Sequence, residues 1–142
     1  MVRKAGLTFA GTLALMIALG AASADDKKTP TTKMIMKTLF GAPKGEMNLC
    51  QKCVAAGKGE KWDEAQKYAK TLADLGASLP KNPCPRGDAD SWEKLTKQFA
   101  EQTKAIAKAA DDKDSKEFEE ATGKFTKACG ACHMAHRAKK GK

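Results

Sequence analysis

Beyond residue 30 this chain shows no run of alternating apolar and polar residues, the pattern that a half-buried strand requires. Its apolar side chains recur instead at helical spacing, so each stretch forms one stripe on a helix. Four stretches carry that stripe. The first holds Met36, Phe40, Met47, Cys50 and Val54, and Gly41-Ala42-Pro43-Lys44-Gly45 predicts a kink or break within it. The second runs from about Lys61 to Leu75, with Trp62, Ala65, Ala69, Leu72 and Leu75 on one face and Gly76 as its stop. Pro80, Pro83, Pro85 and Gly87 exclude helix through most of residues 79–90. The third stretch starts at Asp90 or Ser91 and carries Trp92, Leu95, Phe99 and Ile106. After a charged turn over residues 111–114, the fourth opens at Asp114 or Ser115 and presents Phe118, Ala121, Phe125, Ala128, Cys129 and Cys132. Two short turns and one longer crossing loop join these helices, which predicts an all-α fold, an antiparallel four-helix bundle.

The amino terminus is set apart from the rest. Arg3 and Lys4 precede an apolar run from about Ala5 to Gly20, and Ala22-Ser23-Ala24 offers a signal-peptidase site. Residues 1–24 read as a signal peptide, with an uncleaved membrane anchor as the alternative. Residues 25–30 read as a disordered polar segment, and residues 31–142 as a single soluble domain, periplasmic or otherwise exported. Without the leader's two cations, twenty-four basic side chains face seventeen carboxylates, for a net charge of +7. Lysines coating exposed helix faces account for that excess; an acidic redox protein or an anionic membrane surface would also use it. Only Arg86 and Arg137 remain as arginines, with no aromatic pattern beside them, so nucleic acid is not indicated.

Cys129-Gly130-Ala131-Cys132-His133 has the spacing of a c-type haem attachment sequence. Residues three apart lie on nearly one helix face, so two thiols can meet the vinyl groups on one porphyrin edge. His133 follows as an iron ligand, and Gly130 and Ala131 let the backbone lie close to the ring. Phe125, one turn earlier, is placed to pack against the macrocycle. One covalent haem c with its iron is the cofactor that follows. An oxidised thiol pair and a zinc site compete with it, although a zinc site wants four ligands and His136 is the spare histidine. The mature part holds twenty large apolar side chains for 118 residues, a thin core that a large flat hydrophobe would help to fill. Nine residues follow His133, and His136 stays on the proximal side, so a sixth ligand comes from upstream: Met34, Met36 or Met47. Beyond the haem no acid–base constellation stands out. The reading is a carrier rather than an enzyme, without support for a peroxidase, and His136 reads as a surface residue.

A carboxyl-terminal attachment motif closing a four-helix bundle resembles the cytochrome c′ family and its low-spin relatives. The tail over residues 129–137 matches that family's ending, in which two variable residues, an aromatic and a basic residue follow the motif. Arg137 fills the basic place, and His136 stands where the aromatic is usual. Met36-Lys37-Thr38-Leu39 is similar to the family's first-helix segment, which implies Met36 as the distal residue; Thr32 stands where an arginine is frequent. If Met36 ligates, the resemblance implies a low-spin electron carrier exchanging electrons with a redox partner protein. If Met36 only packs, it implies a five-coordinate haem that binds nitric oxide or carbon monoxide. A third reading is a haem-free, disulfide-stapled helical binding module. Homodimers are common in the family resembled, and the sequence does not decide between one copy and two.

Three thiols are left over. Cys50-Gln51-Lys52-Cys53 is followed by Val54 rather than histidine, so it does not predict a second haem. The strand–helix context of a thioredoxin-like motif is missing too. In an oxidising compartment the simplest outcome is one disulfide, from Cys84 to Cys50 or Cys53, which would pin the proline-rich loop to the first helix.

Overall fold

The computed structural model describes residues 28–137, so the expected signal peptide over residues 1–24 and residues 25–27 of the expected polar segment lie outside the described residues. Every regular element among the described residues is helical: α1 (Thr32–Phe40), α2 (Leu49–Lys58), α3 (Trp62–Ser78), a single 3-10 turn (Leu79–Lys81), α4 (Ala89–Asp111) and α5 (Ser115–His136). None of these helices is long and apolar enough to cross a membrane.

Side-chain caps mark where helices begin. Thr31, Asp88 and Asp114 each accept a hydrogen bond from the third residue beyond them. Asn48 does so within a full capping box, with Gln51 returning the bond to the Asn48 amide at 3.0 Å. The break foreseen at Gly41–Gly45 is a loop that divides the first leg of the bundle into α1 and α2. α2 runs opposite to α5, with Gly57 against the ring of Phe118. α3 runs opposite to α4, since Gln66 Nε2 donates to the Ala110 carbonyl while Gly76 meets Thr103. α4 runs opposite to α5, with Phe99 on Phe125 and Ser91 on His136. The chain is an all-α bundle with four legs, the first of them in two pieces.

Three sequence-based expectations are corrected. α1 buries Ile35 and Leu39 completely, whereas Met36 and Phe40 are half-buried and Met47 is 52% exposed. The stripe in the sequence was phased across residues 41–48, and a loop there carries no helical phase from one side to the other. α4 starts two residues early because Asp88, not Asp90 or Ser91, accepts from Ser91 N at 2.7 Å. Gly76 does not end α3. It lies inside the helix, buried, and a Cβ there would stand 2.2 Å from Thr103 Oγ1, so glycine serves close helix approach rather than termination.

One asparagine ties the bundle's lower end together. Asn82 accepts from the Thr32 amide, donates to the Pro30 and Ser78 carbonyls, and through its own carbonyl receives Trp92 Nε1–H at 2.9 Å. The proline-rich connection is thus fixed to the starts of α1 and α4.

Gly76→Ala is expected to lower stability by about 1–3 kcal/mol, the usual cost of overpacking a closed core site. Thermal denaturation of the variant checks this, and an unchanged midpoint would show that α3 and α4 part without cost.

Candidate functional site

The motif sits in the last two turns of α5, and the buried stripe of that helix explains how its residues are turned. Phe118, Ala121, Thr122, Phe125, Cys132 and His136 face inward. Phe125 is held between Phe99 of α4, at 5.1 Å between ring centroids, and Phe40 of α1, at 6.5 Å with the rings within 13° of parallel. One turn on, Cys129 is half-buried, and Cys132 is 9% exposed. His133 comes next around the helix and points outward, with its ring making no hydrogen bond among the described residues.

α2 closes over the thiols from the other side. Cys50 and Cys53 are both buried, and Cys53 Sγ lies 4.0 Å from the Ala65 carbonyl of α3. Burial pushes the Cys50 thiol up to about 12, and the nearby Cys129 and Cys53 thiols push in the same direction. Cys53 and Cys129 are pushed up to about 11, again chiefly by burial, and Cys132 is raised for the same reason with Cys84 adding to it. Around neutral pH these four sulfurs are protonated thiols. All five cysteines are free, and the bond expected from Cys84 to Cys50 or Cys53 is not formed. Cys84 instead rests against His136, its sulfur 3.7 Å from Nδ1. Among the described residues no three Cys, His, Asp or Glu side chains gather as a metal site, so the second thiol pair does not complete the four-ligand cage that zinc would want.

Of the three methionines considered as a sixth ligand, Met34 is 59% exposed and Met47 is exposed too, while Met36 is half-buried against the core. Arg137 follows the last turn of α5, exposed, with its amide donating to the His133 carbonyl at 3.2 Å. Two features of the site went unread in the sequence. Cys50 falls beside Cys129, which spacing along the chain alone does not reveal. His136 is 2% exposed rather than on the surface. Its signal was present: continuing the stripe from Phe125 and Cys132 by four residues reaches position 136.

These residues fit a covalent haem. Two thiols stand one helical turn apart on the same side, an imidazole follows with no hydrogen-bond partner among the described residues, and an aromatic ring lies one turn back. Met34, Met47 and Met134 leave large apolar surface in water on α1, in the loop before α2 and beside His133.

In the reduced, haem-free chain the raised thiols make stability sensitive to alkali. A thiol that titrates near 9 when unfolded and near 12 when folded favours the folded state fully below pH 9. That contribution is lost as pH rises from about 9 to about 12. The thermal midpoint is expected to fall over this window, and less steeply in Cys50→Ser. Superimposable profiles would refute the burial of Cys50.

The Cytochrome C′ family model matches residues 87–137, which span α4, α5 and the whole motif and make up 51 of the 142 residues. No curated protein and no solved structure matches the chain. Over its last two helices the chain is therefore similar to the Cytochrome C′ family, and that similarity supports a protein carrying covalently attached haem c.

Proposed function

We propose that the chain is an exported c-type cytochrome, with one haem c joined by thioethers to Cys129 and Cys132 and ligated by His133, acting in electron transfer. The observation that carries this reading is the pair of thiols one turn apart on α5, followed by an outward-facing imidazole without a partner among the described residues. The bound iron would supply a one-electron couple. Around it the chain's own residues have distinct tasks. Phe125 offers a packing surface, Arg137 caps the helix end that bears His133, and the half-buried Met36 is the sulfur best shielded for the distal side. A methionine there would raise the potential, one of the levers a protein has over haem iron.

Charge supports an acidic redox partner. Residues 31–56 and 121–137, which flank the motif, carry seven lysines and arginines against one carboxylate, Glu46. Residues 57–120 carry twelve against fourteen. Lys33, Lys37, Lys44, Lys52, Lys124, Lys127 and Arg137 are all exposed. Residues 79–95 meet the same end and are balanced, Lys81, Arg86 and Lys94 against Asp88, Asp90 and Glu93, so the excess lies on α1, α2 and α5. A basic side beside the electron-exchanging group would steer an acidic protein toward it and raise the encounter rate at low salt. The leader over residues 1–24 supports export, the setting in which haem is ligated to such motifs.

Expression in a host that ligates haem tests the reading. A coloured protein whose mass exceeds that of the mature polypeptide by one haem is expected, and His133→Ala is expected to be haem-deficient. Met36→Ala should turn a low-spin spectrum high-spin. A wild-type spectrum that is already high-spin and shifts with carbon monoxide would favour gas binding. A colourless chain of unmodified mass would leave the haem-free binding module.

The placement of charge gives a separate expectation. Lys37→Glu with Lys127→Glu should slow oxidation by ferricyanide at low ionic strength about three- to tenfold. Lys104→Glu with Lys108→Glu changes net charge equally and should have little effect. Equal slowing by both pairs would show that only net charge matters.

A further inference from the structure

The last turn of a helix has no following turn to hold it, and its final carbonyls lack intrahelical partners. His133 stands in such a turn, and its own ring makes no hydrogen bond among the described residues. The residue three positions on is fixed unusually well. His136 Nδ1 lies 2.7 Å from the Arg86 carbonyl oxygen. A carbonyl only accepts, so Nδ1 carries the proton and donates. Nε2 is then the acceptor, and the Ser91 hydroxyl donates to it over 3.1 Å. Trp92 closes on the imidazole edge-on, with centroids 5.4 Å apart and planes at 74°. Both ring nitrogens are satisfied inside the protein, so the ring is a fully paired buried polar group.

The crossing loop is shaped around this ring. Gly87 has φ +88°, and a Cβ there would stand 3.1 Å from the Ala135 carbonyl and 3.3 Å from His136 Nδ1. The Arg86 guanidinium reaches past the ring to donate to the Arg137 carbonyl at 3.1 Å, closing the helix end. Two elements distant in sequence, the loop over residues 84–88 and the first turn of α4, therefore converge on one side chain of α5.

We infer that His136 is a positioning residue for His133: by clamping the last turn of α5 to the crossing loop and α4, it sets the orientation from which His133 meets iron. This rests on the haem reading above. His136 is not itself a ligand here, since both its nitrogens are engaged. Its Nδ1–H donor and Nε2 acceptor do what an apolar ring of similar size cannot, because phenylalanine would leave the Arg86 carbonyl and the Ser91 hydroxyl without their partner.

The test compares haem-loaded wild type, His136→Phe and His136→Asn, with Gly76→Ala as a variant destabilised elsewhere. His136→Phe is expected to carry haem and keep its helix content. Amide hydrogen exchange over residues 131–137 should quicken at least tenfold, and the reduction potential should move away from the wild-type value. His136→Asn, which puts an amide donor near the place of Nδ1, should recover most of both. Gly76→Ala should move neither. The inference is overturned if His136→Phe leaves exchange and potential unchanged, or if Gly76→Ala moves the potential as much. A colourless wild type of unmodified mass would instead remove the haem reading and this inference with it, so the two failures are told apart.

Discussion

Phe125 joins three of the helices in one place. Its ring is 5% exposed, with Phe99 of α4 on one side and Phe40 of α1 on the other, and it stands one helical turn before Cys129. The distance between α1 and the motif-bearing helix is therefore set by aromatic rings, within reach of the sulfurs. Elsewhere the legs come close because their contact residues are small. Ala65, Ala69 and Ala110 are completely buried, Gly57 lies under Phe118, and Gly76 lies under Thr103. A core with few large side chains can still exclude water when the backbones approach this closely, since dispersion and burial both depend on contact rather than on residue size.

The two kinds of packing differ in what they permit. α3 and α4 interlock through glycine and threonine, where any added atom meets a wall. α1 is a short helix that contributes only Ile35 and Leu39 as fully buried side chains, and a loop separates it from α2. In the proposed reading this lighter leg is the part of the bundle that accommodates a macrocycle beside Cys129. The interlocked α3 and α4 keep the frame.

The number of legs, their direction and the position of the motif were legible because each rests on local signals: spacing of apolar residues, prolines and caps. Phe118, Phe125 and Cys132 were found on the inner face of α5 because that helix is unbroken. What failed was phase and tertiary placement. Met36 and Phe40 were put at the centre of the α1 face, yet Ile35 and Leu39 occupy it, since the break at Gly41 uncouples that face from α2. Gly76 read as a stop because a glycine's need for close approach is invisible without the partner helix. The pairing of Cys84 was reasoned from an oxidising compartment and from the loop it would pin, and neither says anything of direction: the thiol turns toward His136.

Four of the five thiols stand in two pairs, and burial gives both pairs the same chemistry. Cys129 and Cys132 lie on α5, both raised chiefly by burial, with Cys84 of the crossing loop adding to the rise at Cys132. Cys50 and Cys53 lie under the bundle, both raised chiefly by burial. A thiol must ionise to attack a disulfide or bind a metal, so all four are held in the unreactive form, and Cys50 and Cys53 remain close neighbours of the motif. Thioether formation at Cys129 and Cys132 would consume one of the pairs and leave Cys84, half-buried in the crossing loop, as the more accessible free thiol. Cys50 and Cys53 would then be kept from reaction by burial, inside the same apolar cluster that holds Ile35, Leu39 and Phe125.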